Sequence, residues 1–309
     1  MASVTLAESA KLSQNLLIQG VIENVITVNR FFEMLPFEGI EGNALAYNRE
    51  NALGDVEYVT VGDTISAKNP ATFTQVTSNL TTIIGDAEVN GLIQATRSNI
   101  NNQKAVQIAS KAKSAGRQYM QTMIDGDGTG NTFQGLDALV PAGQTITPST
   151  NGDVLSFELL DNLMDLVVDK DGQVDYFMMN AREIRAYMAL LRALGGASIG
   201  DVVTLPSGVQ VPAYRGVPIF RNDFVTINNT TGSATDTASI YAGTFDDGSQ
   251  KFGIAGLTAS QESGIVVRDI GEHQSRDETI TRVKWYCGFA LFNEKGIAVA
   301  PGITPNPGV

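Results

Sequence analysis

The longest regular pattern of apolar and polar positions runs from Ile100 to Ile124. Apolar side chains recur there every three or four residues, which is the spacing of one face of an α-helix. Asn, Gln, Lys and Arg occupy the other face, and Gly126 and Gly128 follow directly. Glycines in this position end helices. The pattern therefore predicts one helix of about 25 residues, or roughly 37 Å at 1.5 Å per residue.

Residues 44–84 show the alternation of a β-hairpin rather than a helical period. Their β-branched residues favour strands, with turn signals at Gly54 and Gly62 and an expected tip at residues 66–70. Two strands alone bury too little apolar surface to be stable in water. The sequence therefore predicts a long hairpin that lies against something else, most simply another chain.

A dense apolar cluster surrounds Pro36, just before this hairpin. It follows a loosely helical arm at residues 7–30, which Gly20 and a β-branched run interrupt. Two interpretations of the cluster stay open: it anchors the arm on its own subunit or a neighbour, or it is plain core packing. The cluster comprises Phe31, Phe32, Met34, Leu35 and Phe37.

The rest of the chain alternates between helices and strands. Residues 86–99 are expected to form a short helix or turn. Asn180 with Glu183 three residues later is a capping-box pattern that starts a helix. The polar composition of residues 228–236 predicts an exposed loop. Residues 301–309, rich in Pro and Gly, are expected to form a tail without fixed structure. The other expected elements are helices at 157–168 and 181–194, a buried strand at 176–179, a hairpin at 209–220, and strands at 240–245, 265–270 and 279–291.

Composition narrows the class of function. The chain has 309 residues, one cysteine, one histidine and a formal net charge of −12. One cysteine excludes an intrachain disulfide and a cysteine-based metal cluster. The acidic balance argues against a dedicated nucleic-acid groove. No secretory signal and no membrane-spanning run are apparent, so an intracellular origin is expected.

Few residues suggest chemistry. Asp125, Asp127 and Gly130 match part of a calcium loop, but Leu136 stands where that loop needs a bidentate glutamate. His273 lies among charged residues, without the Gly-x-Ser-x-Gly elbow of a serine hydrolase. Cys287 alternates with Trp285 and Phe289, so a buried apolar role is expected. The sequence therefore predicts no catalytic, cofactor or metal site and no enzyme.

Several local segments, taken in order, resemble the major capsid proteins of tailed bacteriophages, with their Hong Kong 97-type fold. The resemblance covers nearly the whole chain and rests on the order of these segments, since each motif alone is weak. The segments are Ile-Asp-Gly-Asp-Gly from 124, Phe-Gln-Gly-Leu from 133, Phe-Met-Met-Asn-Ala from 177, Arg-Gly-Val-Pro-Ile from 215, and Gly-Phe-Ala-Leu-Phe from 288.

The resemblance implies an α+β subunit with four parts. These are an N-terminal arm (1–43), an extended β-hairpin loop (44–79), a peripheral domain with a spine helix (80–136, completed by 258–287), and an axial domain (137–257, completed by 288–309). It implies hexamers and pentamers in an icosahedral shell that holds double-stranded DNA without reading its sequence. It leaves room for separate scaffolding, portal and decoration proteins, and implies a virion capsid assembled in the host cytoplasm.

Contacts between subunits are expected in the cluster before the hairpin, in the hairpin, and in the mixed-charge segment near residue 276. The predicted contact residues are Phe31, Phe32, Tyr47, Arg49, Glu50, Asp55, Glu57, Lys68, Arg276 and Asp277. Two other hypotheses remain. One is an encapsulin-like shell, which encloses protein cargo; the other is an unrelated soluble β-rich enzyme or binding module.

Overall fold

A computed structural model describes residues 30–97, 102–168, 172–194 and 201–305 of the chain, which form an α+β subunit with two main sheets. The helices are α1 (Phe31–Met34), α2 (Gly91–Arg97), α3 (Gln103–Asp125), α4 (Leu136–Leu139), α5 (Phe157–Val168) and α6 (Ala181–Ala193). The strands are β1 (Phe37–Ile40), β2 (Ala44–Ala52), β3 (Thr72–Asn79), β4 (Thr81–Asn90), β5 (Tyr176–Met179), β6 (Val202–Thr204), β7 (Gln210–Tyr214), β8 (Val217–Arg221), β9 (Asn229–Thr231), β10 (Ala234–Gly243), β11 (Ile254–Ala259), β12 (Val266–Glu272), β13 (Glu278–Leu291) and β14 (Ile297–Ile303).

The predicted long helix is α3. The side chain of Asn102 begins it by accepting a hydrogen bond from the Ala105 backbone N–H at 3.1 Å. The Gly126 N–H closes it by donating to the Thr122 carbonyl at 2.8 Å. Its C-terminal half carries most of the buried side chains, including Tyr119 and Met123.

The first sheet lies under α3 and has the order β1-β11-β13-β12. Strand β4 pairs with the other edge of β13, opposite β11 and β12. Every second residue of β13 from Thr281 to Phe289 is buried, as the alternation predicted. The ring of Trp285 packs on Tyr119 of α3 at 4.7 Å between centroids. The Tyr119 hydroxyl donates to the Gly288 carbonyl at 3.1 Å, which ties the helix to the sheet.

The second sheet has the order β14-β10-β5-β8-β7-β6, with β9 paired to β10. Helices α5 and α6 supply apolar side chains such as Leu160 and Tyr187, which pack with Phe177 and Ile219 of its strands. Arg215 and Gly216 connect β7 and β8 with positive φ angles of 50° and 81°. Such a two-residue turn is typical of a tight hairpin, which confirms the prediction for residues 209–220.

The position of Phe31 decides between the two interpretations of the apolar cluster around Pro36. Its side chain is fully buried, with ring centroids 5.1 Å from Tyr176, 5.7 Å from Phe220 and 5.4 Å from Phe245. Strand β1 then pairs in parallel with β11. Phe31, Leu35 and Ile40 are therefore core of their own subunit. The helical pattern expected at residues 7–30 falls outside the described residues except for Arg30.

Three sequence predictions were wrong. Residues 86–90 continue β4 instead of forming a helix or turn, because they pair with β13 and Arg282 binds Asp86. Residues 229–237 form a β9–β10 hairpin, in which the Thr237 hydroxyl donates to the Asn229 carbonyl at 3.0 Å. Pro301 to Ile303 belong to β14, which pairs with β10, so this part of the tail is ordered.

None of the helices in the described ranges is both long and apolar enough to cross a lipid bilayer.

Candidate assembly surfaces

The base of the predicted hairpin is fixed to its own subunit. Strands β2 and β3 pair from Ala44 with Asn79 to Ala52 with Thr72. The Tyr47 hydroxyl donates to the Leu291 carbonyl at 2.7 Å, and the Arg49 guanidinium donates to the Leu291 and Phe292 carbonyls at 2.5 and 3.1 Å. Arg49 also pairs with Glu294 at 2.7 Å. Tyr47 and Arg49 were predicted as contacts between subunits, but here they anchor the hairpin within the subunit.

Beyond this base the chain continues as a distal loop, residues 53–71, that touches little of its own subunit. Val56 and Val61 are 94% and 103% exposed, and Tyr58 is fully exposed. Leu53, Val59 and Ile65 are also exposed, as is Phe73 at the start of β3. Several exposed apolar side chains in one segment are typical of an interaction site.

The distal loop is nevertheless held in a defined shape. The Thr60 N–H donates to the Asp63 carboxylate at 2.9 Å, and the Asp63 N–H donates to the Thr60 carbonyl at 3.1 Å. The reversal therefore lies at residues 60–63, and the prediction of a tip at residues 66–70 was wrong. Lys68 lies on the returning limb, next to Asn69, whose carbonyl accepts from the Asp55 N–H at 3.0 Å.

Glu57 is the main link across the loop. Both the hydroxyl and the backbone N–H of Ser66 donate to its carboxylate, and these bonds hold the pKa of Glu57 below its ordinary value. The Asn69 amide donates in the same way to Asp55. Asp55 and Glu57, both predicted as contacts between subunits, thus shape the loop that would make such contacts.

Removing the Glu57 carboxylate should loosen the loop without unfolding the subunit. In Glu57→Ala we expect trypsin to cleave unassembled protein after Lys68 several-fold faster, because a substrate segment must open to enter the protease. Glu50→Ala is the matched control, since Glu50 is exposed and its carboxylate makes no hydrogen bond within the described ranges. Equal cleavage rates in the two variants would show that the Glu57–Ser66 link does not order the loop.

The other predicted contact residues are divided between core and surface. Phe31 is fully buried, so its side chain is not available to a neighbour and that prediction is withdrawn. Phe32 is half-buried, and its ring stacks on that of Phe37 with 6.4 Å between the ring centroids. Arg276 and Asp277 are exposed in the turn between β12 and β13, where Arg276 pairs with Glu278 at 3.3 Å.

The outer face of the first sheet, turned away from α3, is occupied by paired charges. Arg282 binds Asp86 through two bonds of 2.8 Å, and this hydrogen-bonded ion pair lowers the pKa of Asp86. Glu262 forms an ion pair with Lys284 at 2.5 Å and accepts a hydrogen bond from Arg268. Each of these three cations therefore has an acidic partner in its own subunit, and Lys284 and Arg268 share the single carboxylate of Glu262.

The opposite face contains a cleft that the sequence did not predict. It has a volume of about 280 Å³, lies between α3 and the start of β12, and is lined by Phe32, Lys113, Gly116, Ile265 and Trp285. Ile265 is 40% exposed, and Val267, two residues further along the chain and on the same face, is 45% exposed. In the sequence, only Ile265 and Val267, two apolar residues on one face of a predicted strand, could have indicated this cleft.

The end of α3 and the loop that follows pack backbone against backbone. The Gly135 N–H donates to the Gly126 carbonyl at 2.7 Å. A Cβ atom on Gly135 would lie 2.5 Å from the Thr122 carbonyl oxygen and 2.8 Å from the Gly126 nitrogen. These glycines therefore form a close joint between α3 and the residues that lead into the second sheet.

Gly135→Ala should destabilise this joint by about 1–3 kcal/mol, because fixed backbone atoms must move to admit the methyl group. Gly143→Ala is the control, since a Cβ there meets nothing within 4 Å. The free energy of unfolding from denaturant titration is the measurement. A Gly135→Ala value equal to that of the control would contradict the close packing.

The residues considered for chemistry have structural partners. Asp127 accepts from the Thr129 hydroxyl at 2.7 Å and from its N–H at 2.9 Å, bonds that lower the pKa of Asp127. His273 accepts from the Ser275 N–H at 3.1 Å in the β12–β13 turn. Cys287 is buried, and this burial raises the pKa of its thiol to about 12. Within the described ranges no three or more His, Cys, Asp or Glu side chains are grouped as metal ligands.

Comparison of the sequence with family models and with curated proteins gives no match. Solved structures do match over almost the whole chain. The holo-SrpI encapsulin complex from Synechococcus elongatus is 18% identical with a TM-score of 0.73, covering 99% of this chain and 98% of its own.

A structure from Mycobacterium phage Bobi is 12% identical with a TM-score of 0.65, covering 99% of both chains. The capsid of a native GTA particle is 12% identical with a TM-score of 0.64, covering 98% of this chain and 100% of its own. The chain therefore has the Hong Kong 97-type capsid fold, which confirms the α+β fold class implied by the resemblance.

Proposed function

We propose that this chain is the major capsid protein of a tailed bacteriophage, and that its copies form the hexamers and pentamers of an icosahedral shell around double-stranded DNA. The observation that carries the proposal is the distal loop, which is ordered internally yet exposes apolar side chains to solvent. A lone subunit gains nothing from this surface, whereas a neighbouring copy would bury it.

We propose that each of the two sheets belongs to a different part of the shell subunit. Residues 80–136 with 258–287 form the peripheral part around α3, and residues 137–257 with 288–309 form the axial part. The hairpin, residues 44–79, projects from the point where these parts meet, since its base binds Leu291 and Phe292. Within the arm (1–43), we propose that the residues before Phe31 make the contacts with neighbouring subunits.

Assembly in this account comes from many modest contacts. Each subunit offers one hairpin, and closing a ring makes the remaining contacts effectively intramolecular. The net charge of −12 opposes association, so assembly should be strengthened by salt that screens the repulsion.

The role is structural, without a reaction or a cofactor. The partners are further copies of the chain, DNA enclosed without sequence-specific contact, and separate scaffolding, portal or decoration proteins. The location is the virion capsid, assembled in the host cytoplasm.

A second candidate is an encapsulin-like compartment that encloses protein. It is favoured by the TM-score of 0.73 to the SrpI encapsulin complex, higher than the 0.64 to the native GTA capsid. Both candidates predict a closed shell, and they differ only in its contents.

Two measurements on one preparation test the proposal. Sedimentation velocity and negative-stain electron microscopy of the purified full chain should show closed isometric particles; only small oligomers would refute both shell functions. Particles purified from the natural source and treated with nuclease should then absorb more strongly at 260 nm than at 280 nm. Particles that contain protein cargo and no DNA would favour the encapsulin-like candidate.

A further inference from the structure

Two segments of the chain cross from one main sheet to the other side by side. Residues 244–253 lead from β10 of the second sheet to β11 of the first, and residues 292–296 lead from β13 back to β14. The Thr244 N–H donates to the Gly296 carbonyl at 2.9 Å, and the Phe292 N–H donates to the Gly253 carbonyl at 3.0 Å. The two crossings therefore form one hydrogen-bonded joint between the sheets.

The first crossing contains a buried carboxylate. Asp246 is 5% exposed, and its backbone N–H donates to the Ile254 carbonyl at 3.0 Å. Its Oδ2 atom accepts from the Gly248 N–H at 3.0 Å and from the Gln250 N–H at 3.4 Å, which closes a turn at residues 246–250. Its Oδ1 atom is also buried but has no hydrogen-bond partner among the described residues. A buried charged oxygen without a partner is unfavourable, so the ionised form of this side chain is destabilised here.

The acids near Asp246 add to this destabilisation. Asp247 follows it in the same turn, and Glu38 on β1 accepts from the Gln250 side-chain amide at 3.1 Å. Burial, together with the negative charges of Asp247 and Glu38, raises the pKa of Asp246 above its ordinary value. Asp246 therefore binds a proton more readily in the folded subunit than in the unfolded chain.

The other charged groups of the two crossings act elsewhere. Lys251 is exposed in the same loop, and its charge attracts the carboxylate of Asp247. In the second crossing Glu294 pairs with Arg49 at 2.7 Å, and Lys295 is half-buried. The Oδ1 atom of Asp246 thus remains without a cation or a donor among the described residues.

Asp175 approaches the joint from the second sheet, just before β5. Its carboxylate accepts from the Phe245 N–H at 3.0 Å, and burial raises the pKa of this group as well. Asp175 is half-buried, however, whereas Asp246 is almost fully buried. The stronger response to pH is therefore expected from Asp246.

We propose that this joint contains a proton-operated latch, in which residues 246–252 close against β1 when Asp246 is neutral and loosen when Asp246 is ionised. A proton taken up from solvent on Oδ1 removes the buried charge and its repulsion by Glu38 and Asp247. The neutral side chain still offers Oδ2 to the N–H groups of the turn. The latch belongs to the single subunit, so it does not depend on the proposed shell function.

The direction of the pH effect follows from the raised pKa of Asp246. A group that binds protons more tightly in the folded state stabilises that state fully below its unfolded pKa, about 4 for Asp. This contribution is lost as the pH rises through the folded pKa. The loop should therefore be closed in mild acid and open more often at neutral pH.

Amide hydrogen exchange of the full chain, measured by mass spectrometry on a peptide that covers residues 247–252, tests the latch. Exchange rates are divided by the intrinsic rate at each pH, which leaves the protection that comes from structure. We expect protection to fall between about pH 4 and neutral pH in the unmodified chain. In Asp246→Asn, which is isosteric with the neutral acid, we expect protection to stay constant over this range. A fall of equal size in Asp246→Asn would overturn the proposal.

Three further variants separate the charge of Asp246 from other causes. Asp165→Asn, which removes an exposed acid on α5, and Asp175→Asn should both keep the fall in protection. Glu38→Gln keeps an oxygen that can accept from Gln250 but removes a charge that repels Asp246, so the fall should move to lower pH. A fall that disappears in Asp165→Asn or Asp175→Asn, or that stays at the same pH in Glu38→Gln, would contradict the assignment to Asp246.

Discussion

Replacing residues 53–71 by Asn-Gly is expected to abolish closed shells while leaving a folded subunit. Ala52 and Thr72 are a paired position at the end of the β2–β3 ladder, and Asn-Gly closes such a pair as a two-residue hairpin turn. The removed residues make most of their hydrogen bonds with one another, so the free energy of unfolding should change by less than about 0.5 kcal/mol. Sedimentation velocity should show subunits or small oligomers in place of particles.

A complementary variant keeps the loop and removes part of its apolar surface. Val56→Ser with Val61→Ser should reduce assembly in proportion to the apolar area lost, because those side chains have no partner in their own subunit. If particles of normal size formed without residues 53–71, the hairpin would have no role in assembly.

Phe31→Ala is expected to have the largest effect on the stability of the subunit, about 3–5 kcal/mol. The ring is fully buried among Tyr176, Phe220 and Phe245, so its loss leaves a cavity that these rings cannot fill without moving. Denaturant titration of unassembled protein measures the change in unfolding free energy.

Phe73→Ala is the matched control for Phe31→Ala, because the same side chain is removed where it is 64% exposed. Its unfolding free energy should change by less than about 0.5 kcal/mol. A small effect of Phe31→Ala would mean that residues 31–40 are peripheral to the core, as a free arm would be.

Elements with a strong local period could be predicted from the sequence. Helix α3, helix α5 and strand β13 each place apolar residues on one face, and all three lie within a few residues of their expected bounds. The β7–β8 hairpin was visible from Arg215-Gly216, because few residue pairs favour its positive φ angles.

Elements decided by distant pairing could not be predicted in this way. Residues 86–90 have no strong strand pattern, and β13 holds them as a strand from nearly two hundred positions away. The short strands β1, β11 and β14 were missed for the same reason. Pairing partners far along the chain override weak local propensity.

The exposed loop was predicted in location but not in detail. The strand alternation of residues 44–84 predicted a hairpin that its own subunit does not fully cover, and residues 53–61 are exposed. Sequence reasoning could not show that Tyr47 and Arg49 turn inward to carbonyls of residues 291 and 292, since that depends on where β13 ends. The cleft was missed because Phe32, Gly116 and Trp285 meet only in the folded subunit.

A cryo-electron microscopy reconstruction of particles formed by the full chain would show whether the distal loop joins neighbouring copies. We expect a closed shell in which residues 53–71 of each copy contact the next copy, with Val56, Tyr58 and Val61 buried between them. A closed shell in which this loop remains exposed to solvent, or a protein that forms no shell at concentrations where its relatives in fold assemble, would contradict it.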